Sequence, residues 1–584
     1  MSQDTQSAPK VERPSAKKRT RVIGFITGIG LVMCVVQLFS IQIIRGPALA
    51  EQGKKVRTSA SSIQAPRGAI VDADGQVLVD SIETYHLAVN QVNILEYENI
   101  DSDGKVVGEG PGEAARLMAP LLDMDAAELG GMMLGDSTYH YIARNVDTET
   151  YRNIRRLGIY GIEWEPVYQR VYPNEQAAAT VIGSVSAEGV GNSGLELMFD
   201  EQLTGTPGEE SYEIGPTGEV IPGAKVTQVE ATPGATLHTT LNIDLQNSVQ
   251  TDLDEAVTRH EADWGAVVVM DVATSEVLVL ADSDQSAPTE GPQTSRAVQM
   301  VFEPGSVGKI LTMASALEAG VVTPTTTYAV PDRYTTHDGE LITDIHPHET
   351  YDRTVAGIFT ESSNTGTVII GEQVSNDDRY SMMVDMGLGS TTGIQLPGES
   401  AGILSPPSEW LGRDVYTTMF GQRYAITAVQ EAALAATIGN GGVWQQPTLV
   451  SGWTDGEGRF HEVETAEPKQ AMREETAEIL VRMMESVTVD EAGTGQGAAI
   501  EGYRTALKTG TAEIPGGTVA TTAGLIPADN PQLAIAVVLY NPRSGHLSSD
   551  SAVPLFQKVS SASVRALAIP GSVGEPDLYP TEPE

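Results

Sequence analysis

The chain has 584 residues, of which 78 are acidic and 36 are basic, giving a formal net charge of −42 at pH 7. This charge excludes a nucleic-acid-binding groove over most of the surface, because phosphate recognition needs clustered lysine and arginine side chains. Apolar residues make up 40% of the chain, enough for a packed core, and the single cysteine, Cys34, excludes a disulfide framework or a cysteine-based zinc site.

The N-terminal region predicts a membrane anchor. Residues 1–21 contain six basic and two acidic residues, a net charge of +4. The 23 residues from Val22 to Ile44 carry no charge, and at about 1.5 Å per residue they are long enough to cross a hydrocarbon layer of about 30 Å. Basic residues before the span and an acidic bulk after it predict that the N-terminus is cytoplasmic and that everything from Arg45 onward is extracellular.

A cleaved signal peptide is the main alternative for this segment, because Ala48-Leu49-Ala50 resembles a cleavage site. Its apolar region would be only about 7–15 residues long, shorter than the one found here. A lipoprotein signal at Cys34 is disfavoured because Met33 is too large for the position before the modified cysteine. An uncleaved anchor is therefore favoured.

Beyond the anchor, the chain divides into two blocks and a tail. The first block mixes short β-rich runs with turn signals, whereas the second contains a near-continuous apolar run at 265–270 that predicts a buried strand. Helical and strand patterns alternate after it, as in a sheet covered by helices. The last residues are rich in proline and acidic side chains and are expected to be disordered. The predicted divisions are a cytoplasmic tail 1–21, an anchor 22–44, a first block 45–230, a second block 231–568 and a disordered tail 569–584.

A Ser-x-x-Lys motif, Ser306 to Lys309, follows Pro304-Gly305 in the second block. Pro-Gly breaks the chain, so a helix is expected to begin at about Ser306. Residues three apart share one helix face, which places Lys309 beside the Ser306 hydroxyl. A lysine can activate a serine if burial lowers its pKa. Alone the motif is weak, because residues 15–18 match it too.

Two further motifs follow in the same block. Ser362-Ser363-Asn364 places a hydroxyl and an amide two residues apart, so both can face a cleft, although a serine-rich turn gives the same pattern. Lys508-Thr509-Gly510-Thr511 predicts an edge strand whose Gly510 lets a ligand backbone approach closely. An exposed edge lysine is the alternative for this third motif.

In this order, the three motifs resemble those of the penicilloyl-serine transferases. In the first block, residues 67–72 and Gly194-Leu195-Glu196 are similar to the non-catalytic pedestal of class B penicillin-binding proteins. The resemblance covers about residues 60–560, and its nearest type is the septal peptidoglycan D,D-transpeptidase (FtsI type) in an acidic, actinobacterial-looking version. It implies a single transmembrane helix, an α+β pedestal of the dimerisation type, and an α/β penicillin-binding domain with a helix-covered antiparallel sheet, as in serine β-lactamases.

The resemblance also implies a role for each catalytic residue. Ser306 would be the nucleophile that is acylated by the stem peptide, and Lys309 its general base. Ser362, with Lys508, would return the proton to the departing D-alanine. Asn364 would hold the substrate amide.

The remaining motif residues would bind the substrate or a β-lactam. Thr509 and Thr511 would hold the terminal carboxylate, and the backbone N–H groups of Ser306 and Thr511 would form the oxyanion hole. Ser363 and Gly510 complete the implied binding set.

Other activities on the same fold stay open as alternatives. A D,D-carboxypeptidase or β-lactamase would transfer the acyl group to water, a sensor or scaffold would not catalyse, and the transpeptidase could serve elongation rather than division. Class A β-lactamases use a glutamate in a Glu-x-x-Leu-Asn stretch to activate water. The nearest match here, 431–435, ends in alanine and predicts a buried helix. A β-lactam adduct on Ser306 is therefore expected to persist.

The implied partners are peptidoglycan stem peptides, β-lactams, the cell membrane, a glycan polymerase of the SEDS class and other division proteins, and no nucleic acid. Gly24, Gly28 and Gly30 supply small residues suited to close helix packing in the membrane. No cofactor or metal is predicted. His346 and His348 are separated by a proline without a supporting carboxylate spacing, so they are interpreted as histidines at a surface or cleft rim.

Overall fold

The structure, a computed structural model, describes residues 16–174, 177–214, 220–284 and 294–583. Within these residues the chain forms helices α1 Ala16–Phe39, α2 Gly46–Arg57, α3 Gly110–Leu122, α4 Ala126–Met132, α5 Thr148–Arg156, α6 Ala179–Ile182, α7 Gly194–Met198, α8 Asp200–Leu203, α9 Ile243–His260, α10 Arg296–Gln299, α11 Lys309–Glu318, α12 Val355–Thr360, α13 Asn364–Gly371, α14 Asn376–Asp385, α15 Asp414–Thr417, α16 Ala428–Gly439, α17 Glu474–Val489 and α18 Ala552–Ala566.

The strands of the same residues are β1 Thr58–Ile63, β2 Ile70–Val71, β3 Val77–Val89, β4 Glu98–Ile100, β5 Val106–Glu109, β6 His140–Asp147, β7 Ile162–Val171, β8 Gly208–Ile214, β9 Val220–Val229, β10 Thr236–Thr239, β11 Trp264–Asp271, β12 Val277–Ser283, β13 Thr327–Val330, β14 Arg333–Thr335, β15 Leu341–Thr343, β16 Tyr351–Thr354, β17 Val443–Trp444, β18 Val450–Thr454, β19 Phe460–Glu462, β20 Lys469–Gln470, β21 Ala506–Ile514, β22 Gly517–Ile526 and β23 Leu533–Tyr540.

One compact unit consists of the described residues within 1–64 and 207–231. Its helical segment Lys17–Ile44 is 28 residues long, and the most apolar 18-residue window within it has a mean hydropathy of 2.4 and is not buried. A helix with this length and composition can cross a membrane, and the predicted anchor lies within it. The same unit contains an antiparallel sheet of β1, β8 and β9.

The other compact unit consists of residues 65–206 and 232–584. One of its sheets has the order β19-β18-β10-β2-β3-β6, with β7 also paired to β3. Strands β2 and β10 run parallel, with Leu237 opposite Ile70 and His238 opposite Val71. This sheet therefore joins strands from both predicted exterior blocks into one hydrogen-bonded structure.

A buried ion-pair cluster holds the two pedestal stretches of the sequence together. Arg67 Nε lies 2.6 Å from Glu196, and Arg170 Nε lies 2.7 Å from the other oxygen of the same carboxylate. Arg67 also pairs with Asp200 at 2.7 Å. Glu196 is completely buried, and a buried charge is tolerated only when it is paired in this way.

The second block is built on a five-stranded antiparallel sheet with the order β12-β11-β23-β22-β21. The apolar run at 265–270 forms most of β11, which pairs with β12 and β23 and is buried almost throughout. The prediction of a buried strand is confirmed, as is the fold class of one apolar N-terminal helix, a pedestal and a helix-covered sheet.

Helices cover both faces of this sheet. Successive residues of a strand point to opposite faces. A Cβ on Gly524 would contact Phe556 of α18 at 2.8 Å, whereas the side chain of the next residue, Leu525, lies against Gly439 of α16. Helices α18 and α16 therefore pack on opposite faces.

The last residues differ from the sequence-based expectation of disorder. Residues 569–583 lie against the second block, where Tyr579 packs on the hydrophobic core and the backbone of Pro580 and Thr581 accepts hydrogen bonds from Thr354. The composition predicted disorder because acidic side chains repel each other in isolation. Arginines of the folded block, including Arg482, offset that repulsion.

Candidate active site

The Ser306 motif lies at the junction of a short 3-10 turn, Gly305–Gly308, and helix α11, which begins at Lys309. The turn packs directly on β21. A Cβ on Gly305, whose φ is +53°, would lie 2.6 Å from the Thr511 carbonyl, and a Cβ on Gly510 would lie 2.3 Å from the Pro304 carbonyl. Both contacts are too short for any other residue, so these glycines bring the first and third motifs together.

Lys309 is completely buried. Its Nζ donates hydrogen bonds to the backbone oxygen of Ser362 and, at 3.2 Å, to the Ser362 hydroxyl oxygen. Burial lowers the pKa of Lys309 to about 7, although the nearby Asp344 carboxylate raises it in part. A buried amine with this pKa is about half free base at pH 7, and that form can accept a proton from a serine.

Lys508 approaches the same hydroxyl from the third motif. Its Nζ donates to Ser362 Oγ at 2.9 Å and to the Thr509 carbonyl at 3.1 Å. Lys508 is also completely buried, and burial together with the nearby Lys309 holds its pKa well below the usual value. The Ser362 hydroxyl therefore lies between two amines and is placed to pass a proton between them.

Asp344, which the sequence analysis did not single out, holds the second motif in place. Its carboxylate accepts hydrogen bonds from the backbone N–H groups of Asn364 and Thr365 and from the hydroxyl of Ser363, the last at 2.8 Å. Ser362 itself has a φ of +61°, a left-handed conformation that costs free energy in a non-glycine residue and persists only when neighbours impose it. The bonds of Asp344 to the next three residues contribute to imposing it here.

The third motif borders a cavity of about 570 Å³. Thr509 Oγ1 lies 2.6 Å from Thr494 Oγ1, and Thr511 Oγ1 accepts a hydrogen bond from the backbone N–H of Ser548 at 3.2 Å. Thr494, like Asp344, was not predicted. Both lie in loops outside the three motifs, although residues 493–495 resemble the family's approach to the third motif, and only the fold brings them to the cleft.

The structure brings the three predicted motifs to one place. Ser306, Ser362, Ser363, Thr509 and Thr511 line the cavity. The two lysines lie buried beneath it and Gly510 is buried behind it. Asn364 lies beside the cavity, and its Nδ2 donates to the Thr343 carbonyl at 3.2 Å.

Residues 265–561 match the penicillin-binding protein transpeptidase domain, and residues 62–239 match the penicillin-binding protein dimerisation domain. The chain belongs to the class B penicillin-binding proteins. It is 31% identical to penicillin-binding protein PbpB of Mycolicibacterium smegmatis over 91% of this chain and 87% of that protein. It is 28% identical to the peptidoglycan D,D-transpeptidase FtsI of Escherichia coli K12 over 99% of this chain and 97% of that protein.

Solved structures resemble this penicillin-binding protein along most of its length. A peptidoglycan synthetase from Bifidobacterium adolescentis matches with a TM-score of 0.72 and 31% identity, covering 90% of this chain and all of that one. Penicillin-binding protein 3 of Mycobacterium tuberculosis, in complex with aztreonam, matches with a TM-score of 0.68 and 26% identity over the same shares.

Two histidines at the cleft, His346 and His348, also line the cavity of this penicillin-binding protein. His348 Nδ1 lies 2.8 Å from the Glu349 carbonyl, and Nε2 lies 3.1 Å from the Asp344 carboxylate. Both neighbours are hydrogen-bond acceptors, so the protonated ring satisfies both contacts. Hydrogen bonds to these two groups raise the pKa of His348, against the effect of burial. The interpretation as cleft-rim histidines agrees with this position.

Glu431, the residue closest to a β-lactamase-like water base in the sequence, is not at the cavity. It is completely buried in α16, and both of its carboxylate oxygens lie within 2.7 Å of Thr521 Oγ1. That hydroxyl also lies 3.1 Å from the Val537 carbonyl. One hydroxyl hydrogen cannot serve three acceptors, so a neutral Glu431 supplies the second hydrogen. Burial raises its pKa to about 8 in agreement.

Replacing Glu431 with glutamine is expected to stabilise the protein, increasingly so from pH 5 to pH 8. An unfolded glutamate ionises near pH 4.5, whereas the folded one does so near pH 8. Between these values folding must bind a proton, which costs about 1.4 kcal/mol more for each pH unit. Glutamine keeps a hydrogen-bond donor for Thr521 and does not titrate. The measurement is the melting temperature of Glu431→Gln against wild type across pH.

The exposed Glu513, on β21 of the same sheet, provides the matched control. Glu513→Gln should shift the melting temperature little at any pH. A Glu431→Gln advantage that is equally large at pH 4.5 and pH 8 would contradict a neutral, buried carboxylic acid.

Proposed function

We propose that this class B penicillin-binding protein, a serine-type peptidoglycan D,D-transpeptidase, cross-links stem peptides during septal cell-wall synthesis through an acyl-enzyme on Ser306. The observation that carries the proposal is the hydroxyl of Ser362 between the amines of Lys309 and Lys508, at 3.2 and 2.9 Å, beside the cavity that Ser306 lines. Two buried amines joined through a hydroxyl supply a base and an acid for acyl transfer.

In the acylation step, Ser306 Oγ attacks the carbonyl carbon of the penultimate D-alanine, and its proton passes to Lys309 Nζ. Backbone N–H groups of Ser306 and Thr511 stabilise the oxyanion. The bond to the terminal D-alanine nitrogen then breaks, and that nitrogen receives a proton through Ser362 and Lys508. The products are an ester on Ser306 and free D-alanine.

Substrate-binding residues orient the stem peptide for this step. Thr509 and Thr511 bind the terminal carboxylate, Asn364 binds the peptide amide, and Ser363 and Gly510 shape the site. The hydroxyl of Ser363 already donates to Asp344 and accepts from the Gly366 backbone, so its contribution is to hold the loop. The geometry of Thr509, which faces Thr494 at 2.6 Å, supports a hydroxyl-lined carboxylate site.

In the second step, an amine of a neighbouring stem peptide attacks the ester carbon, loses a proton and releases Ser306 as a hydroxyl. Transfer to water would instead make the enzyme a D,D-carboxypeptidase or β-lactamase. The burial of Glu431 away from the cavity argues against the β-lactamase alternative, because the glutamate that best matches a class A water base cannot reach the ester.

The test is cross-linking of stem peptides by the detergent-solubilised full-length protein, supplied with glycan chains made by a separate polymerase. Digestion and mass analysis should detect dimeric stem peptides with wild type and none with Ser306→Ala. Release of D-alanine without dimeric stem peptides would indicate that the protein is a D,D-carboxypeptidase.

We also propose that the N-terminus lies in the cytoplasm, the catalytic part lies outside the cell, and α1 contacts a glycan polymerase of the SEDS class with other division proteins nearby. The charge of +4 in residues 1–21 supports the orientation. Gly24 and Gly28 leave a groove along α1, and a Cβ on either would meet nothing within 4 Å. Such a groove suits close packing of another helix.

Replacing Gly24 and Gly28 together with leucine should therefore weaken co-purification of such a polymerase. Gly30, which the sequence grouped with these two glycines, does not line the groove. Gly30→Leu is the matched control, because at about 100° per residue Gly30 lies about 140° around α1 from the midpoint of Gly24 and Gly28. Equal loss in both variants would indicate general disruption of the membrane helix, and unchanged recovery in both would refute this contact face.

A further inference from the structure

Residues 569–583, named here the C-terminal strap, lie across two elements that lead into the catalytic motifs. Their first part contacts the segment before β21. Ser572 N–H donates to the Gly502 carbonyl at 2.9 Å, the Tyr503 hydroxyl donates to the Ile569 carbonyl at 2.8 Å, and Ser572 Oγ accepts from the backbone N–H of Arg504 at 2.8 Å. Lys508 follows four residues after Arg504.

The middle of the strap is held by one arginine of α17. Arg482 Nε donates to the Asp577 carbonyl at 2.7 Å, and the same guanidinium pairs with the Asp577 carboxylate at 2.7 Å. It also lies 4.2 Å from the centre of the Tyr579 ring and donates to the Tyr579 hydroxyl at 3.2 Å. This combination of ion pair and cation–π contact fixes the strap on α17.

The last part of the strap lies on α12, the helix that ends two residues before Ser362. The backbone N–H of Thr354 donates to the Thr581 carbonyl at 3.2 Å, and Thr354 Oγ1 donates to the Pro580 carbonyl at 2.7 Å. A Cβ on Gly357 would lie 2.1 Å from the Thr581 carbonyl oxygen. The strap therefore rests directly on the backbone of α12, at a position where only glycine leaves room.

A chain of charges continues from the strap to the second motif. Glu582 pairs with Arg353 at 3.3 Å, and Arg353 Nε donates to Glu361, the residue immediately before Ser362. Glu361 also accepts a hydrogen bond from the Tyr351 hydroxyl at 2.9 Å. Helix α12 has only six residues, all buried, so core packing and these contacts hold its position more than its own hydrogen bonds do.

We propose that the C-terminal strap is a positioning element for the acylation step: it holds α12 so that Ser362 stays in its left-handed conformation between Lys309 and Lys508. This inference rests on the proposed roles of Ser306 and Ser362. The strap touches no reacting atom. It acts through α12 and through the segment that precedes β21, and thereby sets the geometry of the proton relay.

The test measures the rate constant of acylation by a fluorescent penicillin separately from the dissociation constant of the preceding complex, in full-length protein. Three variants loosen the strap: Tyr579→Ala, Gly357→Ala and a stop codon in place of Glu575. Displacing the relay by a fraction of an ångström should lower the acylation rate constant about tenfold. The dissociation constant and the final labelled fraction should stay at wild-type values.

One control variant, and the choice of alanine at Gly357, separate positioning from folding. Tyr579→Phe keeps the ring under Arg482 and should keep the wild-type rate constant. Gly357→Ala improves the intrinsic helix propensity of α12, so a loss of rate in that variant reports displacement and not helix melting.

Wild-type rate constants in all three variants would overturn the proposal. So would a reduced labelled fraction with an unchanged rate constant, because the strap would then support only the fold. Absence of labelling in wild type, or labelling that persists in Ser306→Ala, would instead count against the proposed function itself.

Discussion

Ser306→Ala is expected to abolish covalent labelling by β-lactams, whereas wild type should form an adduct that survives for many minutes. Loss of a catalytic serine costs about 10⁶ in rate in serine hydrolases, which here places labelling below detection. The adduct should persist because hydrolysis would lack the ~10²–10⁴-fold assistance of a positioned base. Gel fluorescence after a chase with unlabelled antibiotic measures both properties.

Ser363→Ala is the matched control, since the Ser363 side chain adjoins the same cavity but carries no proposed proton transfer. It should retain labelling, at a lower rate if loss of its bond to Asp344 loosens the loop. Rapid steady turnover of a β-lactam by wild type would contradict a persistent adduct and would indicate a β-lactamase.

The second large effect is a pH dependence of acylation with its midpoint near pH 7. The pKa of Lys309 is lowered to about 7 by burial, and only the neutral amine can accept the Ser306 proton. The acylation rate constant should therefore rise through pH 7, where it is half its maximum, and become constant about one pH unit above it. The sign follows from the base role: lowering the pH protonates Lys309 and removes the catalyst.

Stopped-flow or quench measurements of penicillin acylation between pH 5.5 and pH 9 test this profile. Lys309→Arg should be slower by ~10²–10⁴-fold and show no such rise, because a guanidinium stays protonated throughout. Lys469→Arg, an exposed lysine paired with Asp385, should reproduce the wild-type profile. A rate that falls as pH rises through 7 would contradict a lysine base.

Much of the active site could be predicted because its residues lie in short motifs whose order is distinctive. Burial lowers the pKa of Lys309 and Lys508. This burial could not be derived from the motifs, since it depends on helices and strands distant in sequence. Asp344 and Thr494 were not predicted as site residues for a related reason. Each lies in an ordinary loop, and its importance comes from one set of tertiary hydrogen bonds.

The tail shows that the composition of a segment can predict the wrong structural state. Its prolines and acidic residues predicted disorder, yet Arg482 and Arg353 bind it from the folded block. Charge complementarity between segments far apart in the chain cannot be detected from the composition of one segment alone. The apolar run of β11, by contrast, was predictable, because a strand buried on both faces is apolar regardless of its partners.

The parallel pairing of β2 with β10 has a practical consequence for producing soluble protein. A fragment that begins at residue 231 would lack Ile70 and Val71 and would leave the backbone of Leu237 and His238 as a bare sheet edge. Bare edges recruit other chains and promote aggregation. Inhibitor screening on a truncated protein should therefore retain the chain from at least Ala65, so that this edge stays covered.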